Sequence, residues 1–374
     1  MKKIIALLLA LVMVFSLVAC AAKEEAPAQE EAKTEAPAEE APAEEEAPAE
    51  EEAPAEEEAP AAEMTFAIVP KSAGNPYNER EASGFEEACK ELGVNCVVQY
   101  PEDTSAEAQI IVINNLIAQG VNAIAVAAND AEALESTLDA AKAAGIVVVS
   151  LDSDAKGSQL FINQAGVSEV AQVLVDSVYD MAGGAGEFAV LSASSTATNQ
   201  NSWIAAMEQI IAADSKYADL VWVETVYGDD ESQKSYDMTE SLMTNHADLK
   251  VICCPTTVGV LACAQAVQNA GSSIKVAGLG LPSEMNGYVG ADLPCPYMYL
   301  WNPIDVGATA AYAIQVFIDG ATTGAEGESF TAANGNTYEV IPGDESVGVY
   351  STQIIVGPPS EFTADNIAEW AQVY

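Results

Sequence analysis

Residues 106–154 read AEAQIIVINNLIAQGVNAIAVAANDAEALESTLDAAKAAGIVVVSLDSD. Ile110, Ile113, Leu116 and Ile117 recur at helical spacing, so Ala106–Gln119 is expected to form an amphipathic helix ending at Gly120. Ala123–Ala127 is too short and too uniformly apolar for a surface helix and reads as a buried strand. Ala131–Ala144 returns to helical spacing and is closed by Gly145, and Ile146–Leu151 is a second buried strand. Each strand ends in a polar step, Asn129-Asp130 after the first and Asp152-Ser153-Asp154 after the second.

The same alternation extends in both directions. Upstream, a strand at Thr65–Val69 precedes a helix at Asn78–Leu92 and a strand at Val94–Gln99. Downstream, helices are expected at Val167–Met181, Asn199–Ala213, Glu231–Asn245 and Val258–Ala270. Strands at Glu187–Leu191, Leu220–Val226, Val251–Cys254 and Lys275–Leu279 alternate with them. Short apolar strands between helices mean parallel sheets covered on both faces. Two runs of this kind over about 310 residues exceed one ordinary core, so the expected fold is α/β with two doubly wound, Rossmann-like domains.

The first 63 residues do not share this pattern. Lys2 and Lys3 precede an apolar run, Ile4 to Val18, that is short for a membrane span of roughly 20 residues. Leu17-Val18-Ala19-Cys20 matches the site at which a lipoprotein signal is cleaved and its cysteine acylated. Residues 1–20 are therefore read as a lipoprotein signal peptide, with Cys20 as a lipid anchor to the cell membrane and the folded part outside the cytoplasm. Residues 21–63 are nearly all Ala, Pro and Glu, with Ala-Pro-Ala-Glu-Glu-Glu beginning at 41, 47 and 53. Such a composition cannot bury a core and reads as a disordered, extended tether.

Residues 64–374 carry 40 acidic and 9 basic side chains. A net charge of −31 repels nucleic acid and anionic membrane surfaces, so neither is an expected partner of the folded part. The only histidine, His246, falls near a helix C-terminus, and no Ser-His-Asp or Cys-His set, phosphate loop or metal-ligand spacing is present. The chain is read as a binder rather than an enzyme, with no cofactor and no metal. Cys89, Cys96, Cys253, Cys254, Cys263 and Cys295 lack paired spacing and read as small buried apolar residues.

In open α/β sheets, ligands sit beyond the carboxyl ends of the strands. Those positions here hold Pro70–Tyr77, Asn129-Asp130, Asp152–Asp154, Ser192–Gln200, Tyr227–Asp230 and Pro255–Thr257. Amides, carboxylates and hydroxyls in such number suit a polyhydroxylated ligand, each of whose hydroxyls both donates and accepts.

The stretches Ile68–Lys71, Asn114–Gly120, Ser194–Trp203, Val226–Asp230, Cys254–Gly259 and Gly357–Pro359 carry a family resemblance. From about residue 64 to 374 the chain resembles the type 1 periplasmic solute-binding proteins of ABC sugar importers, above all the branch that binds rhamnose and autoinducer-2. The resemblance implies two α/β domains joined by three hinge crossovers and closing on the ligand. The implied division is 64–162 plus 302–325 for the N-terminal domain and 163–301 plus 326–374 for the C-terminal one. A monomer, delivering a sugar-like ligand to ABC permease subunits, is implied as well.

Autoinducer-2 binders of this family use a Lys, an Asp, an Asp-Gln pair and a Pro-x-Ala. Lys71 and Asp152 match the first two, while the pair falls on Asn199-Gln200 and the last motif on Pro255 and Thr257. Asn-Gln and Pro-Thr-Thr are forms of the rhamnose-like group. Lys71, Asp152, Asn199, Gln200, Pro255 and Thr257 are thus the implied ligand residues, with Tyr77, Asn163, Trp301 and Asn302 as further candidates. Lys71 would donate to a ligand oxygen and Asp152 would accept from adjacent hydroxyls. Tyr77 and Trp301 would stack on a sugar face.

Overall fold

The computed structural model describes residues 64–374. Cys20, the signal segment and the Ala/Pro/Glu stretch lie outside the described residues.

The first half builds one parallel sheet. Its elements are β1 (Thr65–Val69), α1 (Pro76–Leu92), β2 (Asn95–Val98), α2 (Ala106–Gln119), β3 (Ala123–Val126), α3 (Glu135–Ala143), β4 (Val147–Leu151) and β5 (Phe161–Asn163). The chain then crosses to a second lobe. There lie α4 (Val167–Ala182), β6 (Gly186–Ser192), α5 (Thr198–Ala213), β7 (Leu220–Tyr227), α6 (Ser232–Asn245), β8 (Leu249–Cys254), α7 (Thr257–Asn269), β9 (Lys275–Gly278), α8 (Pro282–Met285) and β10 (Met298–Leu300). The remainder comprises α9 (Pro303–Ile318), β11 (Ser329–Thr331), β12 (Thr337–Glu339), β13 (Gln353–Ile355), β14 (Ser360–Phe362) and α10 (Ile367–Trp370).

Both main sheets are parallel throughout. The first runs β13-β5-β4-β3-β1-β2 and the second β7-β6-β8-β9. Strand alternation sorts the first core into two layers. Phe66 and Ile68 pack into the layer shared with α1 and α9, while Ala67 and Val69 pack with Ile113, Leu116 and Leu138 of α2 and α3. Phe66 to Val69 are all fully buried, which is why this part of the strand shows no polar face in the sequence. The order reverses between β1 and β3 in one sheet and between β6 and β8 in the other. Right-handed crossovers then put successive helices on opposite faces and leave a crevice at the strand ends.

Residues 326–374 do not pass as a block to the second lobe. Tyr338, on the β11–β12 hairpin, approaches Thr309 of α9 at 3.3 Å, and β13 pairs with β5 in the first sheet. The chain from β14 onward belongs to the second lobe: β14 lies antiparallel to β10, and the Tyr374 carbonyl accepts from the Ser283 amide of α8 at 3.1 Å. The physical reason is the open edge of β5, whose peptide groups β13 satisfies. The third crossover therefore comes late, between β13 and β14, at the Gly357-Pro358-Pro359 stretch. A smaller difference concerns α3, which begins at Glu135 rather than Ala131. Asp130 accepts hydrogen bonds from the Glu132 and Ala133 amides, holding that stretch as a turn.

Helices α1 and α9 press backbone against backbone. A Cβ on Gly84 would lie 2.0 Å from the Ile304 carbonyl oxygen, and one on Gly307 would lie 1.9 Å from that of Glu81. No side chain can yield there, because the obstacle is main chain on both sides. Gly307→Ala is expected to force the helices apart and cost at least about 1–3 kcal/mol, as overpacking does. Urea unfolding would read this as a lower midpoint at unchanged slope, whereas an unchanged midpoint would mean that the contact is not tight.

Candidate functional site

The strand ends of both lobes meet in a cleft enclosing about 360 Å³ of empty space, mouth included. The six implied ligand residues, Lys71, Asp152, Asn199, Gln200, Pro255 and Thr257, all line it, as do Tyr77 and Trp301.

Lys71 leaves the end of β1 with only 7 % of its surface exposed. Its Nζ donates to Asn199 Oδ1 at 2.6 Å and to Gln200 Oε1 at 3.4 Å, and lies 3.9 Å from Asp152 Oδ2. These bonds cross between the lobes. Asp152 follows β4 in a left-handed backbone conformation, φ +58°, which Asp tolerates better than most residues. Its carboxylate accepts from the Tyr77 hydroxyl and from Asn199 Nδ2, each at 3.0 Å. Burial raises its pKa, against the opposing pull of the Lys71 ammonium and of its hydrogen bonds. Trp301 Nε1 donates to the Tyr77 hydroxyl at 2.7 Å. Neither ring is free to turn, since Trp301 also packs on Trp203 with centroids 5.6 Å apart.

Asn199 is an available helix cap by residue type, but it does not cap α5. Ala197 holds that position without a side-chain bond, and the Asn199 amide points into the cleft. Two further candidates sit elsewhere. Asn302 caps α9, its Oδ1 accepting from the Ile304 amide at 3.0 Å, because Pro303 begins that helix and the free amide lies one residue on. Asn163 lies in a smaller adjoining chamber and donates to Gln353 Oε1 at 2.8 Å, tying β5 to β13. Both are corrections to a placement in the main cleft, caused by local backbone demands.

The structure also adds residues. Asp230, with φ +53°, lines the cleft and accepts from Thr256 Oγ1. Its carboxyl is pushed up chiefly by burial, with Thr256 and Lys71 opposing. Its place after β7 is the signal that could have marked it. Leu279, Leu300 and Trp203 add apolar surface to the lining. Nothing in the local sequence distinguishes them from core residues.

His246 pairs with Glu224 at 3.0 Å beyond α6, outside the cleft. Among the described residues no group of three or more His, Cys, Asp or Glu side chains is placed to hold a metal ion. The described cysteines are all free, and only Cys96 among them is not fully buried.

Residues 66–322 match the periplasmic binding protein domain family. The chain belongs to that family. It is similar, at 47% identity and a TM-score of 0.81, to an ABC transporter solute binding protein from Clostridium phytofermentas with bound L-rhamnose; the match covers 84% of this chain and 100% of that one. LsrB from Clostridium saccharobutylicum in complex with AI-2 is 26% identical with a TM-score of 0.74, covering 82% and 99% of the two chains. The ribose import binding protein of Bacillus subtilis is 22% identical over 221 residues, 58% of this chain and 69% of that protein. As a member of this family the chain is an extracytoplasmic solute-binding protein with the type 1 two-lobed α/β fold.

One buried acid lies just outside the cleft. Glu81, one helical turn beyond Tyr77, is fully buried, and neither carboxyl oxygen has a hydrogen-bond partner. Burial, and then the nearby Asp152 carboxylate, hold its pKa well above the usual 4.5, with Lys71 opposing. The unfolded chain releases this proton near its ordinary pKa, while the folded protein keeps it to higher pH. Stability therefore falls as pH rises above about 4.5, by about 1.4 kcal/mol per unit, until the folded carboxyl ionises. Glu81→Gln should remove this contribution, so that urea unfolding at pH 5 and pH 8 shows the variant gaining on the native chain at the higher pH. Parallel pH dependence in the two proteins would contradict the assignment.

Proposed function

We propose that this protein captures a neutral sugar, L-rhamnose or a close 6-deoxy relative, between its lobes and delivers it to ABC permease subunits. The observation that carries the reading is the mixed polar and apolar lining of the cleft. Lys71, Asp152, Asn199, Gln200 and Asp230 bring polar groups to it from both lobes, and Leu279, Leu300, Trp203 and Trp301 bring apolar surface. A 6-deoxy sugar has the matching chemistry, with ring hydroxyls for the polar groups and a methyl for the apolar surface. The relative crystallised with L-rhamnose supports the same choice.

In this reading the ligand takes over bonds that the cleft residues make with one another. Lys71 gives its Asn199 bond to a ligand oxygen, while Asp152 and Asp230 accept from hydroxyls. Asn199 and Gln200 bring amides that donate and accept at once. Tyr77 and Trp301 hold Asp152 and the cleft wall in place, and Pro255 and Thr257 shape the far side. The protein works without chemistry on its ligand, as a monomer. Autoinducer-2 is the second reading, supported by the LsrB likeness. Asn199 and Thr257 speak against it, because each replaces a residue used by that branch.

Calorimetry with L-rhamnose and L-mannose tests the methyl assignment, since the two differ only by a hydroxyl on C6. L-Rhamnose is expected to bind about 10- to 100-fold more tightly, the limit of what an apolar surface imposes against one added hydroxyl. Equal affinities would remove the methyl from the apolar surface. Binding of neither sugar, with binding of autoinducer-2, would favour the second reading.

The anchor is proposed from sequence alone. Cleavage after Ala19 and acylation of Cys20 would hold the protein at the membrane, within reach of its permease. Cys20→Ser should move it from the membrane fraction to the medium. Retention of that variant on membranes would show that another segment anchors the chain.

A further inference from the structure

We infer that Cys89 and Cys96 form an oxidisable dithiol, a modification site at which a disulfide closes the turn between α1 and β2. Cys89 lies in the last turn of α1. The helix ends at Gly93, φ +72°, where the Gly93 amide bonds to the Lys90 carbonyl at 3.2 Å and the Val94 amide to the Cys89 carbonyl at 3.0 Å. This left-handed close turns the chain straight back into β2. Cys96 is the register partner of Phe66 on β1, and adjacent residues of paired strands share a face. Phe66 points into the layer between the sheet and α1. Cys96 therefore points into the layer where Cys89 is fully buried, and packs against it.

The two thiols interact directly. Contact with Cys96 and burial push the Cys89 thiol up, while contact with Cys89 brings the Cys96 thiol down. Cys96 thus ionises first, and it is also the accessible partner, half-buried on the edge strand of the sheet. The remaining described cysteines differ on both counts. Cys253, Cys254, Cys263 and Cys295 are fully buried, and burial pushes Cys253 and Cys295 up to about 12. A reactive thiol needs both a thiolate and access, and among the described residues only the Cys89–Cys96 pair offers both with a second sulfur beside it.

The oxidant is a low-molecular-weight disulfide, of the kind met outside the cytoplasm. The Cys96 thiolate attacks one sulfur of that disulfide, forming a mixed disulfide and expelling one external thiolate. The Cys89 thiol then loses its proton and attacks the Cys96 sulfur, expelling the second. Two protein thiols and one external disulfide give one protein disulfide and two external thiols, and the two electrons pass to the external disulfide. The staple lies at the opposite end of α1 from Tyr77, so sugar affinity should be unaffected.

The test incubates the purified protein with oxidised glutathione, alkylates remaining thiols under denaturing conditions and digests with trypsin. Cleavage after Arg80, Lys90 and Lys142 places the two cysteines on separate peptides. The expected product is peptide 81–90 joined to peptide 91–142, lighter by two hydrogens than their sum and separated by reductant. Cys96→Ala should abolish it, and Cys254→Ala should leave it intact. Equal alkylation of Cys89 and Cys96 before and after oxidation would overturn the inference. So would a glutathione adduct that stays on Cys96 while Cys89 remains alkylatable.

Discussion

The cleft is organised around a buried carboxylate that needs partners. Asp152 is 4 % exposed and would be costly to leave ionised alone. Lys71 supplies the opposite charge, while Tyr77 and Asn199 supply hydrogen bonds from opposite sides of the cleft. Trp301 holds Tyr77, and its own position is set at a crossover between the lobes. One buried charge thus links the first sheet, the second sheet and a hinge. Removing any partner would leave polar groups that water cannot easily reach.

The arrangement depends on the sheets beneath it. Parallel strands all end at the same edge, so the residues after β1, β4, β6, β7 and β8 converge without adjacency in sequence. Two of the converging carboxylates, Asp152 and Asp230, sit at positive φ. The chain accepts unfavourable backbone at these points, in the places where side chains must be aimed into the cleft. The α1–α9 contact serves the same end. Gly84 and Gly307 let the helix that follows Trp301 seat against the one that begins beside Tyr77, so the two cleft aromatics are braced by a rigid pair.

Much of the fold was legible because it rests on local pattern. The largely buried β1, β3 and β4 announced themselves as apolar runs, and the helices between them as 3.6-residue spacing ended by glycine. What escaped was non-local. β10, β11, β12, β13 and β14 are three residues each, too short to show a period, and β13 is a strand only because β5 offers an edge. The site divides in the same way. Lys71, Asp152, Asn199 and Gln200 stand out by residue type after a strand. Leu279, Leu300 and Trp203 look like any core residue, and Glu81 like any helix-surface acid, until the packing around them is known.

By itself the sequence determined the class of the protein. The strand–helix alternation dictates parallel sheets, parallel sheets dictate a polar rim at the strand ends, and the residue types on that rim suit a hydroxyl-rich ligand. It also carried the acidic composition, which is a property of the chain rather than of its fold. Tertiary structure alone decided which rim residues meet. Asn302 and Asn163 were drawn away by a helix cap and a strand pairing, and Asp230 was drawn in beside Lys71. Only tertiary structure, too, put Cys96 across from Cys89, because the face a strand residue takes is set by its partner strand. Convergence in space is a sum of distant contacts, and no local spacing encodes it.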